Sequence, residues 1–400
     1  MSHAQRHPLA DDEQTFLEDT GLLLASAFEH FDPEPVASAS LAQVYRARTR
    51  EGRAVAVKIQ QRPVARFLQV DLLTIELYYA LLARLIPGLR LGWLAEETQR
   101  HMAEELDFVA EAENARTVQR LLAPEFPASQ LVVPTTLPAL CGPRVLTMDW
   151  VDGSRIDDAP ALAAARADVP ALAARLQRIF GAMIFVHGFV HCDPHPGNIL
   201  VTPSGALALL DHGIYRRLSP ELRRGYAALW LAVLAGDRAR IRDCTASLGM
   251  DARQWRLVSV MLALAPSGED GSLLDGDGGA SAMAKMSNAE RAAATSRFME
   301  LGGGMAAQSQ FFESIPRDLL LILKTNNLLR YVNDQLGTPV NRFRVIAEYA
   351  TRGVAVVGRE VSPQGRWAAL RMSLNSTLAH EVLRMARWML SLRRLLLREG

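Results

Sequence analysis

The chain has 400 residues, 49% hydrophobic and 22% charged, a balance ordinary for a folded soluble protein and a length sufficient for two lobes with real cores. A net charge of +1 supplies no bulk field for nucleic acid, and three scattered cysteines (Cys141, Cys192, Cys244) without a Cys-x-x-Cys suggest neither a disulfide framework nor a structural zinc site. No run of about 18 uncharged apolar residues occurs; the nearest, Leu72 to Ile86, carries Glu76 and Arg84 and reads as a buried amphipathic helix.

Met1 to Asp12 is polar and contains acidic residues, so it is neither a signal peptide nor a good organelle presequence; either the chain is addressed internally or its true start lies upstream. Apolar residues at Phe16, Leu17, Leu22, Leu23, Leu24 and Phe28 predict a helix over Glu13 to Phe31, interrupted by Gly21 and ended by Asp32-Pro33-Glu34-Pro35. Val44 to Arg48 and Val55 to Gln60 flank a turn at Glu51-Gly52 and predict a hairpin. A run of small residues, Val36 to Gln43, precedes it where a phosphate-covering loop would sit, with Ala37, Ser38, Ala39 and Ser40 at its centre and Lys58 inside the second strand. Read alone, the run is tight backbone packing and Lys58 a solvated strand lysine; residues further along reverse that balance.

A helical region is predicted from about Pro63 to Leu122, broken near Pro87-Gly88. Its second part carries Glu104, Glu105, Asp107, Glu111 and Glu113, which is ordinarily a solvated face. A strand lysine that holds α/β-phosphates, however, needs one helix glutamate to anchor it. Val132-Val133 and Arg144 to Met148 read as the last small-lobe strands, with Asp149 to Gly153 crossing between lobes, and alanine-rich helices follow over Pro160 to Ala174 and Leu176 to His187.

The stretch His187 to Asn198 then brings the chemistry. Asp193 and Asn198 stand five positions apart in a Pro/Gly-rich loop, followed by apolar Ile199 to Val201, a turn at Pro203 to Gly205, Leu207 to Leu210, and Asp211-His212-Gly213. An aspartate, an asparagine five later, two short strands and a second aspartate before a glycine is how a phosphoryl-transfer site is built. Asp193 takes the proton of, or orients, the attacking group, while Asn198 and Asp211 offer oxygens to Mg²⁺. His191, Cys192, Asp193 and His195 also allow a zinc-type reading. Against it, Pro194 and Pro196 fix the loop; His191 reads as a brace for the loop through a backbone hydrogen bond, and Cys192 as packing.

Beyond Gly213 the pattern predicts helices over Leu222 to Leu234, Ile241 to Leu248, Trp255 to Leu264 and Arg317 to Leu336, and mostly helix over Phe343 to Leu397. Pro266 to Ser281, rich in Gly, Asp and Ser, reads as a flexible loop or linker. In Ala379 to Arg398, Arg384, Arg387, Arg394 and Arg398 share a face opposite Val382, Met385, Met389 and Leu396. That pattern suits a terminal helix packed on the large lobe or one lying on an anionic membrane surface.

Taken together and in order, Pro35 to Val44, Val55 to Gln60, Glu105-x-Asp107-x-x-x-Glu111-Ala112-x-Asn114, His191-x-Asp193-Pro194-His195-Pro196-Gly197-Asn198 and Leu209-Leu210-Asp211-His212-Gly213 resemble the UbiB/AarF-domain atypical kinases. Asp-His-Gly in place of Asp-Phe-Gly, with Pro316 to Asn327, is similar to a mitochondrial branch of that family. The resemblance implies an α+β, bilobal, protein-kinase-like fold. Its parts would be an N-terminal helical segment (1–31), an N-lobe with inserted helices (32–153), a C-lobe (154–265), a Gly/Asp-rich linker (266–285) and a helical extension (286–400). It implies ATP and Mg²⁺ as cofactors, Ala37 to Ser40 around the nucleotide, Lys58 paired with Glu111, Asp193 as catalytic aspartate, and Asn198 and Asp211 on the metal. It also implies a lipid- or isoprenoid-quinone-pathway partner, peripheral membrane contact and no nucleic acid. The location would be an organelle membrane in a eukaryote or the cytoplasmic membrane face in a bacterium. The family's Lys-x-Gly-Gln helix has no counterpart between Met1 and Pro35, and Glu105 and Asp107 would face that element. A choline- or aminoglycoside-type phosphotransferase and a nucleotide-gated scaffold remain alternative readings.

Overall fold

The computed structural model describes residues 8–38, 41–85, 92–252, 255, 258, 262, 312–337 and 340–361. The proposed linker and the basic terminal stripe lie outside them.

The small lobe grows from one strongly patterned hairpin. In β3 (Ala42–Thr49), Tyr45 and Ala47 are buried while Arg46 and Arg48 point out, the two-residue period of a strand with one face on a core. β4 (Ala54–Gln60) pairs with it antiparallel, and β6 (Val145–Asp149) pairs on the far side of β4. Val55, Val57, Ile59, Tyr45 and Val145 face Phe16 of α1 (Leu9–Thr20) in one apolar cluster. Asp19 of α1 accepts from the Arg144 guanidinium at 2.6 Å and so ties the helix to the sheet. The helix expected through Phe31 ends early. After α2 (Leu24–Ala27) the chain turns extended as β1 (Phe28–Phe31), pairing with β3. Phe28 and Phe31, with Tyr45, build an aromatic row that stabilises this pairing. β2 (Ala37–Ser38) also pairs with β3, so the small-residue run closes a hairpin over the sheet.

Three helices follow: α3 (Arg62–Leu85), α4 (Gly92–Glu105) and α5 (Phe108–Leu122). The apolar run from Leu72 is helical as expected but not buried. Val70, Leu73, Leu77, Leu81 and Leu85 are exposed, because α3 is apolar all round and only its Leu72, Ile75 and Leu82 side is half-covered.

The large lobe holds the main core. α6 (Ala159–Ala164) and α7 (Val169–Gly181) are capped by Asp158 and Asp168, whose carboxylates accept from Ala161 and Ala171 N–H, each with proline in the first turn. The helix break therefore falls at residues 165–168 and not at Arg175, as the alanine pattern suggested. α7 continues as a π-helical turn, Ala182–His187, and Arg223 holds the Val186 carbonyl at 2.6 Å. Val169 to His187 is long and apolar enough to cross a membrane, but Leu172, Leu176, Ile179, Phe180, Met183 and Phe185 are buried in the protein core.

β5 (Leu131–Val132), expected in the small lobe, instead pairs parallel with β10 (Leu207–Leu209). That sheet runs β5-β10-β9-β7, with β9 (Ile199–Val201) and β7 (Ser154–Arg155). At the crossing, a Cβ on Gly153 would lie 2.7 Å from the Val201 carbonyl oxygen, so only glycine lets the chain enter this sheet. A second ladder pairs β8 (Phe189–His191) with β11 (Tyr215–Arg217), a strand the sequence pattern did not reveal. α8 (Pro220–Leu234), α9 (Arg238–Ser247), α10 (Arg317–Gln335) and α11 (Arg342–Val361) complete the lobe. α11 packs on α7, the π turn and α8.

Candidate active site

Alternation along β4 sends Val55, Val57 and Ile59 into the small-lobe core and Lys58 to the opposite face, towards the cleft. α5 crosses that face. Asp107 caps it, its carboxylate accepting from Ala110 N–H at 2.9 Å. One turn in, Glu111 takes Lys58 with both oxygens, each 2.9 Å from Nζ. Phe108, three positions earlier on the same face, lies under the ammonium at 4.8 Å. Asp211 Oδ2 stands 3.7 Å from the same nitrogen.

Two short ladders place the remaining residues. Leu209 pairs with Ile199, and Leu210 N–H donates to the Asn198 carbonyl at 3.0 Å, so Asn198 and Asp211 emerge at one end of the β9–β10 hairpin. Tyr215 pairs with His191, and Cys192 N–H donates to the Ile214 carbonyl at 2.9 Å, which sets Asp193 beside the Asp-His-Gly segment. Between them Pro196–Asn198 forms a 3-10 turn capped by His195, whose Nδ1 accepts from Gly197 N–H at 3.1 Å.

α5 also grips the Asp-His-Gly backbone. Asn114 Nδ2 donates to the His212 carbonyl at 3.0 Å, and His212 N–H donates to Glu111 Oε1 at 3.4 Å. His212 is itself buried. Nε2 donates to the Leu209 carbonyl at 3.0 Å and Nδ1 accepts from the Tyr215 hydroxyl at 2.9 Å. Burial pushes this imidazole down to about 3, so the ring is neutral.

The electrostatics follow from burial and pairing. Burial would lower the Lys58 ammonium, but Glu111 and Asp211 outweigh it and hold it above its ordinary value. Burial lifts Glu111 above the usual carboxylate range, with Lys58 offsetting part of the rise. Burial would raise Asp211 too, yet Lys58 and the Gly213 N–H bring it down to about 2. An ionised Asp211 and the Asn198 carboxamide are the hard oxygen donors that Mg²⁺ takes, so these residues fit that ion.

Glu105 and Asp107, expected to act together, part company. Asp107 serves the α5 cap. The Glu105 carboxylate, partly desolvated and close to Asp211 and Asp193, is raised by all three. Ala37 and Ser38 lie in β2, and the Ser38 hydroxyl has no partner among the described residues. Ala39 and Ser40 lie outside them. His191 is buried and stacked on Tyr215, and its Nδ1 stands 3.5 Å from the Ile214 carbonyl, too long for a strong hydrogen bond. Cys192 is buried, and burial pushes its thiol up to about 12.

Two residues were not among the expected site residues. Asn114 belongs to the motif read from the sequence but had no role there. Lys324, on α10, places Nζ 3.0 Å from Asp193 Oδ1. No spacing rule links it to a loop so far upstream.

Comparison with known proteins gives the same outline. A family profile described as the ABC1 atypical kinase-like domain matches residues 1–245. The chain is 33% identical over 398 residues to AarF domain-containing protein kinase 1 of Xenopus laevis, covering 94% of this chain and 71% of that protein. It is 35% identical to the Mus musculus protein of the same name, covering 84% of this chain and 62% of that one. A Mycobacterium tuberculosis protein solved with erythromycin has the same fold at TM-score 0.56 and 20% identity, over 88% of this chain and 84% of that one.

Proposed function

The chain belongs to the ABC1 atypical kinase-like family, and from that premise we propose that it binds Mg-ATP and transfers or hydrolyses its terminal phosphoryl group. The observation that carries this reading is the Lys58–Glu111 pair with Asp211 on the lysine's other side. A lysine so held is fixed in position and keeps its charge for the α/β-phosphates. Asn198 and Asp211 would hold Mg²⁺, which when bound neutralises phosphate charge. Asp193 accepts the proton of the attacking hydroxyl or water as its oxygen bonds the terminal phosphorus and the bridging P–O bond to ADP breaks. Ala37 to Ser40 close over the nucleotide from the β2–β3 side.

The reading extends, on resemblance alone, to a lipid- or quinone-pathway acceptor met at a membrane surface, in a mitochondrion or other organelle if the source is eukaryotic.

The test is thermal stabilisation by ATP with and without Mg²⁺, alongside single-turnover phosphate release. Asp211→Asn and Asn198→Ala should lose the Mg²⁺-dependent part of the stabilisation. Asp193→Asn should keep binding and lose turnover; normal turnover in that variant rejects the assignment.

A further inference from the structure

We propose that Lys324 is a positioning residue for Asp193, delivered to the catalytic loop by the C-terminal extension; this rests on the phosphoryl-transfer reading above. Between Asp193 and Asn198 the loop reads Pro194, His195, Pro196 and Gly197, with no lysine or arginine. Three carboxylates, Glu105, Asp193 and Asp211, nevertheless influence one another across the site. Lys58 is committed to Glu111 and Asp211. The cation at Asp193 is Lys324, at 3.0 Å from Oδ1.

Its placement is built, not incidental. The next residue, Thr325, is fully buried, with its hydroxyl donating to the Leu321 carbonyl at 2.9 Å and lying beside the Cys192 thiol. Asn326 donates to the Tyr226 hydroxyl at 2.5 Å. Leu321, Ile322 and Leu329 sink the same helix into the core. The turn carrying Lys324 is therefore pinned to the strand end before Asp193 and to α8. Lys324 itself stays 45% exposed, and an ion pair this open contributes little to stability. Its effect falls on the carboxylate. Oδ1 is held and one rotamer fixed, which leaves Oδ2 for the proton of the attacking group, and the repulsion from Asp211 and Glu105 is offset.

The experiment compares the full chain with Lys324→Met, Lys324→Arg and the Lys324→Met/Asp193→Asn double variant. Melting temperature, Mg-ATP affinity, turnover, and the Mg²⁺ concentration for half-maximal stabilisation by ATP are measured for each. Lys324→Met should keep the melting temperature and ATP affinity while kcat drops by roughly tenfold or more at constant KM, and Lys324→Arg should recover part of the loss. Without the lysine the site is more negative, so less Mg²⁺ should suffice, and this change should vanish when Asp193→Asn is the background. That second measurement decides the matter even where turnover is slow. Wild-type kcat and an unchanged Mg²⁺ midpoint in Lys324→Met overturn the proposal and leave the phosphoryl-transfer reading intact. Loss of affinity, stability and turnover together overturns it in favour of a structural role. Absence of any Mg-ATP stabilisation in the wild type instead rejects the underlying reading.

Discussion

Lys58 and Glu111 act as one unit because each is the other's main compensation for leaving water. Lys58→Met and Glu111→Gln should each weaken Mg-ATP binding strongly, and the double variant should cost less than the sum, with a coupling of about 0.5–3 kcal/mol in a double-mutant cycle. Additive losses reject the pairing. The neighbouring acids separate in the opposite way. Asp107→Ala removes a helix cap and should destabilise the fold by about 1 kcal/mol, read from the urea midpoint, with ATP affinity retained. Glu105→Gln should leave the midpoint alone and alter the Mg²⁺ requirement, since its carboxylate faces Asp193 and Asp211. These two residues look equivalent in sequence, two apart in a carboxylate run. Only the end of α4 and the start of α5 between them decide which one caps and which one faces the site. Lys58 was legible from the strand pattern and from the motifs in order. Lys324 was not, because nothing local marks a lysine in an apolar helix as the partner of a loop far upstream.

At the scale of elements, the sequence reads well wherever a period runs long enough. β3, β4, α5, α8 and α10 carry several repeats of their own pattern and were legible. β5 and β11 are two and three residues long, too short to show a period, and their partners lie far away in sequence. The boundary between α6 and α7 was readable in principle from Asp168 followed by Pro170, a cap with proline in the first turn. Alanine composition hid it. The exposure of α3 was not readable, since apolar content reports what a helix can bury and not whether a neighbour covers it. Between elements, Asn114 is the clearest case. It satisfies the His212 carbonyl from α5, so Asn114→Ala should leave that oxygen unsatisfied at a cost of about 1–3 kcal/mol and weaken Mg-ATP binding with it. A variant with unchanged melting temperature and affinity removes α5 from the control of Asp-His-Gly.

The whole molecule is larger than the stretch that carries its motifs. The family profile ends at residue 245, but the core beneath the catalytic loop continues through Ile315, Leu319, Ile322, Phe343, Tyr349 and Val354. A Cβ on Gly353 would sit 2.4 Å from the Phe185 carbonyl oxygen, which shows how closely α11 approaches the π turn before His187. A chain ending at residue 311 should therefore lose its cooperative thermal transition rather than yield a smaller active kinase-like unit. Glu125 fastens the same helix, accepting from both Arg352 Nη atoms at 2.7 Å and from the Tyr349 hydroxyl at 2.6 Å. Arg352 holds this carboxylate below its ordinary value. In acid the unfolded chain then binds the proton first, so the contribution is present above the unfolded carboxylate range and is lost as pH falls through the folded value. Glu125→Gln should flatten that part of the stability–pH curve below about pH 4.5, measured by urea melts.

The histidine between Asp211 and Gly213 has a pharmacological consequence. In kinase-like sites the middle residue of this triplet swings between two packings, and some inhibitors occupy the pocket it vacates. A phenylalanine leaving such a pocket gives up apolar contact alone. His212 would also abandon the Leu209 carbonyl and the Tyr215 hydroxyl, both buried with it, and Asn114 and Glu111 hold its backbone in place. Compounds that require the swung-out triplet should bind this protein poorly, whereas those that fill the nucleotide cleft with the triplet at rest should bind well. A panel of both kinds, ranked on the wild type and on His212→Phe, should show the first kind gaining affinity in the variant and the second kind unmoved.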